Sequence, residues 1–139
     1  MRIINVSIAV LLLTVLAAGG IQAREKQVPR LYAFGFASSF NDSTVYITPI
    51  QELDGAWISS GWGFLFGRDS YAYQLRDYLT GQGVEHSTCI ISYARKREQV
   101  EKKYAKLRKR YAEKLKYIVK ELPAEAFRFT VVQPEHPVE

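Results

Sequence analysis

Between residues 95 and 121 basic side chains outnumber acidic ones by twelve to four. Within that stretch Lys102, Lys106, Lys109, Arg110, Lys116 and Lys120 fall along one side of a helix. Ammonium and guanidinium groups so arranged can hold an anionic partner, at a strength that salt screens within about 8 Å. Against this stands the plainer reading of a lysine-rich face that only keeps the chain solvated. A second candidate is the glycine-punctuated aromatic stretch at residues 57–67, where Trp57 and Trp62 can offer flat faces to a sugar ring or a peptide. Its plainer reading is that both indoles close the bottom of a small core.

Residue types that break or make covalent bonds are sparse. His86 and His136 have no second histidine or cysteine at a metal-ligand spacing, so no metal or cofactor site is expected. Asp54, Asp69 and Asp77 are scattered, each at a position suited to a cap or a surface. Cys89 lies in the apolar run Thr88-Cys89-Ile90-Ile91, where a thiol behaves as a small hydrophobe. Gly61-Trp62-Gly63 lacks the lysine and Ser/Thr ending of a phosphate loop. An enzyme is therefore not expected; if there is one, it acts on glycans, with Asp54 or Asp69 beside the aromatic stretch. A binding domain fits better.

The elements that position these groups follow from periodicity. Val100, Tyr104, Leu107, Tyr111, Leu115, Ile118 and Leu122 recur at steps of three and four, which predicts one long amphipathic helix from Arg95 to Leu122. Its cations lie opposite that stripe, and Pro123 stops it. Leu31 to Ala37 reads as a strand with Tyr32, Phe34 and Phe36 on one face and Leu31, Ala33, Gly35 and Ala37 on the other. Turn chemistry at Asn41-Asp42 returns it as Ser43 to Ile47, a hairpin. Thr48-Pro49-Ile50-Gln51 resembles a capping box opening a short helix. A further helix runs from Asp69 or Ser70 to about Thr80, with Tyr71, Leu75, Tyr78 and Leu79 inward. Ser87 to Ala94 reads as a central strand. Phe127, Phe129 and Val131 alternate with polar residues as a fourth, half-buried strand.

The sum is an α+β two-layer sandwich of about four strands in β-β-α-β-α-β order, with both main helices on one face. Residues 1–23 read as a secretory signal peptide: Met1-Arg2 is followed by the apolar run Ile8 to Ala18 and the ending Ile21-Gln22-Ala23. The run is shorter than the roughly 20 apolar residues of a membrane span, so the mature chain is not expected to cross a bilayer. Residues 24–132 then form a single domain and 133–139 a loose tail. One cysteine in 139 residues cannot form an internal disulfide, so packing alone must stabilise the domain.

The segments Phe34-Gly35-Phe36-Ala37-Ser38-Ser39-Phe40-Asn41-Asp42-Ser43-Thr44-Val45-Tyr46 and Tyr73-Gln74-Leu75-Arg76-Asp77-Tyr78-Leu79, with Glu101-Lys102-Lys103-Tyr104 to Lys109, resemble uncharacterised small secreted proteins of Gram-negative gut bacteria. The likeness implies export to the envelope and carries no site residues. A net charge of +5 concentrated on one helix then points to an anionic envelope component or a protein partner, in the periplasm or at the cell surface. Nucleic acid is disfavoured by export and by the lack of any base-reading module.

Overall fold

A computed structural model describes residues 25–135. The signal-peptide reading of residues 1–23 lies outside the described residues. Among the described residues the fold is α+β, with seven strands, two α-helices and mixed sheets. In chain order the elements are β1 (Glu25–Gln27), β2 (Arg30–Ser38), β3 (Thr44–Ile47), β4 (Gln51–Asp54), β5 (Trp57–Ser59), α1 (Arg68–Gly81), β6 (Thr88–Ala94), α2 (Arg97–Lys109) and β7 (Ile118–Glu121). Among the described residues no helix is long and apolar enough to cross a membrane.

Strand β2 is the centre. Along one edge it pairs antiparallel with β6, from Tyr32↔Ala94 to Ser38↔Thr88. Along the other it pairs with β3 at Phe36 to Ser38 and with β4 at Arg30 to Ala33. Between β3 and β4 the chain does not form the short helix suggested by Thr48-Pro49. Proline cannot donate to a ladder, so the strand kinks there. Thr48 is buried at the kink and fills the gap: its N–H donates to the Gly35 carbonyl at 2.9 Å and its Oγ1 accepts the Gly35 N–H at 2.8 Å. What resembled a capping box is a strand interruption held by a hydroxyl.

Both faces of β2 are covered, and by different helices. Leu31, Ala33 and Ala37 pack with Tyr71, Leu75 and Leu79 of α1. Tyr32 and Phe34 pack with Val100, Tyr104 and Leu107 of α2. The helices therefore lie on opposite sides of the sheet, not together on one face, and the two-layer arrangement is corrected to helix–sheet–helix. Gly35 sits where α1 comes closest: a Cβ there would lie 2.7 Å from Leu75 Cδ2 and 3.0 Å from Phe129 Cζ. A side chain at this position would force Leu75 to shift, so glycine lets α1 pack close.

The long helix is shorter than its periodicity suggests. α2 ends at Lys109, Arg110–Lys114 forms one wide π turn, and Lys116 adopts a left-handed φ of 58°. Ile118 and Leu122 do not continue the stripe. Ile118–Glu121 is β7, which pairs parallel with β3 from Thr44↔Ile118 to Ile47↔Glu121. On α2 only Val100 is fully buried, with Tyr104 and Leu107 half-buried; beyond it Tyr111 is half-buried and Leu115 exposed. Strand β6 is likewise corrected: it pairs only with β2, which makes it an edge.

Residues 127–131 are extended but are not a strand. Phe127 and Phe129 are buried, as the alternation requires, against Tyr78 and Tyr71 of α1. Their backbone is held by side chains instead of a ladder. Gln51 Nε2 donates to the Phe127 carbonyl and its Oε1 accepts the Phe129 N–H. Gln74 does the same for both backbone groups of Thr130, and the Tyr71 hydroxyl accepts the Val132 N–H.

Candidate functional site

The cations of residues 97–120 separate into two groups once the fold is in place. One group is engaged in the structure. Arg97 pairs with Glu101, and the Lys103 ammonium donates to the Tyr93 carbonyl at the exposed edge of β6. Arg108 donates to both the Tyr104 hydroxyl and Glu121, which ties α2 to β7. Those bonds raise the Arg108 pKa, while burial raises that of Tyr104. Lys120 lies 6.0 Å from the centre of the Tyr46 ring, on the sheet face that α1 covers. It is thus parted from the α2 cations by the sheet itself, and the expectation that it shares their side is corrected.

The other group has no carboxylate within ion-pair distance among the described residues. Lys102, Lys106, Lys109, Arg110, Lys114 and Lys116 are all exposed. Lys106, Lys109, Arg110 and Lys114 together line a groove of about 300 Å³ at the end of α2. Lys102 is one turn upstream on the same arc, and Lys116 lies past the wide turn, outside the groove. Lys114 is the residue that spacing alone did not single out. It stands four residues after Arg110, so it shares that face.

This end of the helix has its own reason to be basic. Free carbonyls leave a partial negative charge at a helix C-terminus, and Lys106, Arg108 and Lys109 in the last turn complement it. That effect fades within a turn and does not account for Lys102 or Lys114. Lys106, Lys109, Arg110 and Lys114 thus share one groove, and among the described residues none of them has a carboxylate within ion-pair distance.

The aromatic stretch divides. Trp57, on β5, is half-buried, and its Nε1 is shielded without a hydrogen-bond partner among the described residues. Trp62 is 82% exposed at the tip of a hairpin closed by the Ser59 N–H on the Phe64 carbonyl. Its ring stacks near-parallel on Phe64 at 6.3 Å between centroids. The two tryptophans therefore do not form one surface. Trp62 with Phe64 makes a small flat platform, and Trp57 is a half-buried residue of β5 next to the buried Ile58.

Asp54 is held by Arg30 at 2.7 Å, and the hydrogen bond from that guanidinium keeps its pKa below the usual carboxylate value. A general acid needs the opposite shift. Asp69 is exposed in the first turn of α1, which begins from Gly67 and not from an Asp or Ser cap. Among the described residues no group of three or more His, Cys, Asp or Glu is placed to hold a metal.

Burial pushes the Cys89 thiol up to about 11, partly offset by Arg76. Between about 9 and 11 the unfolded chain gives up this proton while the folded chain keeps it, so stability should fall as pH rises through that window. Native Cys89 should react slowly with a thiolate-seeking reagent at pH 8 and quickly in urea. Equal rates in the two conditions would contradict its burial.

No protein-family model, curated protein or solved structure matches the chain.

Proposed function

We propose that this is a small exported binding domain, with no catalytic role, that docks onto an anionic component of the cell envelope through the end of α2. The observation carrying the reading is the groove lined by Lys106, Lys109, Arg110 and Lys114, which has no ion-paired carboxylate among the described residues. Lys102 extends it along the helix and Lys116 flanks it. Export rests on the sequence of residues 1–23. A domain built to meet a multivalent anion needs clustered, exposed cations more than a deep cavity, and this surface offers them.

The experiment is binding of the protein to a soluble polyanion such as heparin at two salt concentrations. A variant carrying Lys106→Glu, Lys109→Glu and Arg110→Glu is compared with wild type. Wild-type binding should weaken as salt rises, because exposed charges are screened within about 8 Å at physiological strength. The variant should bind about tenfold more weakly or worse, since each cation near an anionic surface contributes about 1 kcal/mol. Circular dichroism checks that the reversed charges have not unravelled the helix end, where each costs about 0.3–1 kcal/mol. Equal binding by the two folded proteins would reduce the basic face to a solubilising surface.

A second reading has an observation of its own. The stacked, exposed Trp62 and Phe64 at a hairpin tip suit a sugar ring or an apolar peptide side chain. Trp62→Ala abolishing binding to a glycan, with the α2 variant binding it normally, would favour that surface.

A further inference from the structure

We propose that the anionic partner is an extended, acidic peptide segment of another protein, which adds as a strand to the unpaired edge of β6 while its carboxylates meet Lys103, Lys106 and Arg110. The inference rests on the reading above for its cations and adds a backbone surface that a soluble polyanion would not use. β6 is seven residues long and pairs with β2 along one edge only. Its register with β2 shows which backbone groups are left over. Both backbone groups of Gly35 are taken by Thr48 on the other side of β2, so Gly35 and its partner Ile91 exchange no hydrogen bond. In an antiparallel ladder such pairs alternate with bonded ones. The N–H and C=O of Cys89, Ile91 and Tyr93 therefore point away from β2, along the outer edge.

Among the described residues only the Tyr93 carbonyl of these has a hydrogen-bond partner, the Lys103 ammonium at 3.1 Å. Ile91 is 1% exposed, so its outward groups are shielded as well as unpaired. Polar backbone groups left without water or a partner are costly, and an added strand supplies the missing donors and acceptors. Lys103 crosses this edge. It starts from α2 on one face of the sheet, and its ammonium also lies 6.0 Å from the Tyr93 ring, which packs with the α1 core on the other. A lysine so placed guards an exposed strand until a partner displaces it.

The charge along the edge favours an acidic occupant. Lys103, Lys106 and Arg110 follow at steps of three and four, so they share the side of the helix that Lys103 turns toward β6. Of the acids nearby in sequence, Glu101 pairs with Arg97, and Glu113 lines the Arg108 side with Tyr104. On the α1 flank Arg68 lies 5.9 Å from the Tyr93 ring, and Arg76 borders Cys89 together with Tyr73. Asp69 and Asp77 stand four residues either side of Tyr73, so this flank is mixed and the α2 flank is the basic one. Large apolar side chains are exposed on both flanks: Ile90, opposite Phe36 on the α2 face, at 45%, and Tyr73 of α1 at 52%. A strand alternates its side chains between the two faces and would reach both. A second copy of this chain pairing through β6 would bring cation against cation, so the partner is a different, acidic chain.

The test uses the full chain and a blocked, fluorescent decapeptide of alternating glutamate and valine, with fluorescence polarisation reading its affinity. The same decapeptide N-methylated at every residue keeps the charges and loses every backbone donor, and heparin serves as the probe without a strand. Wild type should bind the plain decapeptide about tenfold or more tightly than the methylated one. On binding, the Cys89, Ile91 and Tyr93 amides should gain protection from hydrogen exchange, as they become donors to the added strand. A Lys106→Glu, Arg110→Glu variant should lose about tenfold for decapeptide and heparin alike. Both positions are exposed, and circular dichroism checks the fold. If the two peptides bind alike, or the edge amides gain no protection, the strand proposal falls while the anion reading stands. If heparin binds and the decapeptide does not, the strand proposal again falls, and Lys103 only guards the edge against pairing. If the charge variant binds every probe as wild type does, both fall.

Discussion

Phe34→Ala should lower the free energy of unfolding by about 3–5 kcal/mol, the range for removing a buried phenyl ring. Phe34 is fully buried in the middle of β2 and meets the Tyr104 ring edge-on at 5.2 Å. It is the main apolar contact between the sheet and α2, whose only fully buried residue is Val100. The cavity left behind would have little to collapse into it, because Tyr104 and Leu107 are already half-exposed. Urea unfolding followed by circular dichroism reads the loss directly. Phe40→Ala, 97% exposed, is the matched control and should stay within about 0.5 kcal/mol of wild type. A loss below about 1 kcal/mol at Phe34 would mean that α2 does not pack as described.

Gln51→Leu should cost about 2–5 kcal/mol. The side chain is buried and is the shared partner of the Phe127 carbonyl and the Phe129 N–H. Leucine fills the volume but strands two backbone groups, at about 1–3 kcal/mol each. Gln74 makes the equivalent pair of bonds to Thr130 at an exposed site, where water can replace it. Gln74→Leu should therefore cost well under half as much. Hydrogen exchange separates this account from a general loss of stability. The Phe129 amide should lose protection in Gln51→Leu ahead of the β2 and β6 amides. If the core strands open first, residues 122–132 are not pinned by the glutamine.

The sequence revealed elements where side-chain period and chain punctuation agreed. In α1, the spacing of Tyr71, Leu75 and Leu79 and the glycines beyond them mark both face and extent, and the helix runs Arg68–Gly81. The alternation along β2 is equally plain, since Tyr32 and Phe34 do face one way and Leu31, Ala33 and Ala37 the other. Two buried faces on one strand imply cover on both sides, and that is where the second helix belongs. The one-sided arrangement overlooked this. The overlong helix has a different cause. Ile118 and Leu122 extend a three-and-four spacing by accident, and a four-residue strand carries too few positions to declare its own period. The left-handed break falls on Lys116, a position where glycine would have announced it. Residues 127–131 were legible in burial and illegible in bonding. Alternation tells which rings go inward, and nothing in it tells that glutamine amides from β4 and α1 will take the place of a neighbouring strand.

The candidate site was legible as charge and not as grouping. Lys102, Lys106, Lys109 and Arg110 share a face because helical spacing puts them there. Lys120 was drawn into the set only by extending the helix past its end. Which cations are free depends on Glu121 reaching Arg108 and on the Tyr93 carbonyl reaching Lys103, contacts made across the fold. The exposure of Phe40, Leu115 and Ile118 has no signal in the sequence, because an apolar residue reads as core until a structure leaves it outside.

Where an anion touches the molecule decides between the α2 groove and the other exposed surfaces. Backbone amide chemical shifts of isotope-labelled protein, followed while an inorganic polyphosphate is titrated in at low salt, locate the contact residue by residue. The changes should centre on Lys106, Lys109, Arg110 and Lys114, reach Lys102 and Leu115 more weakly, and leave Lys120 and the Trp62 hairpin unmoved. Shifts centred on Trp62 and Phe64, or spread evenly over every exposed lysine, would contradict it.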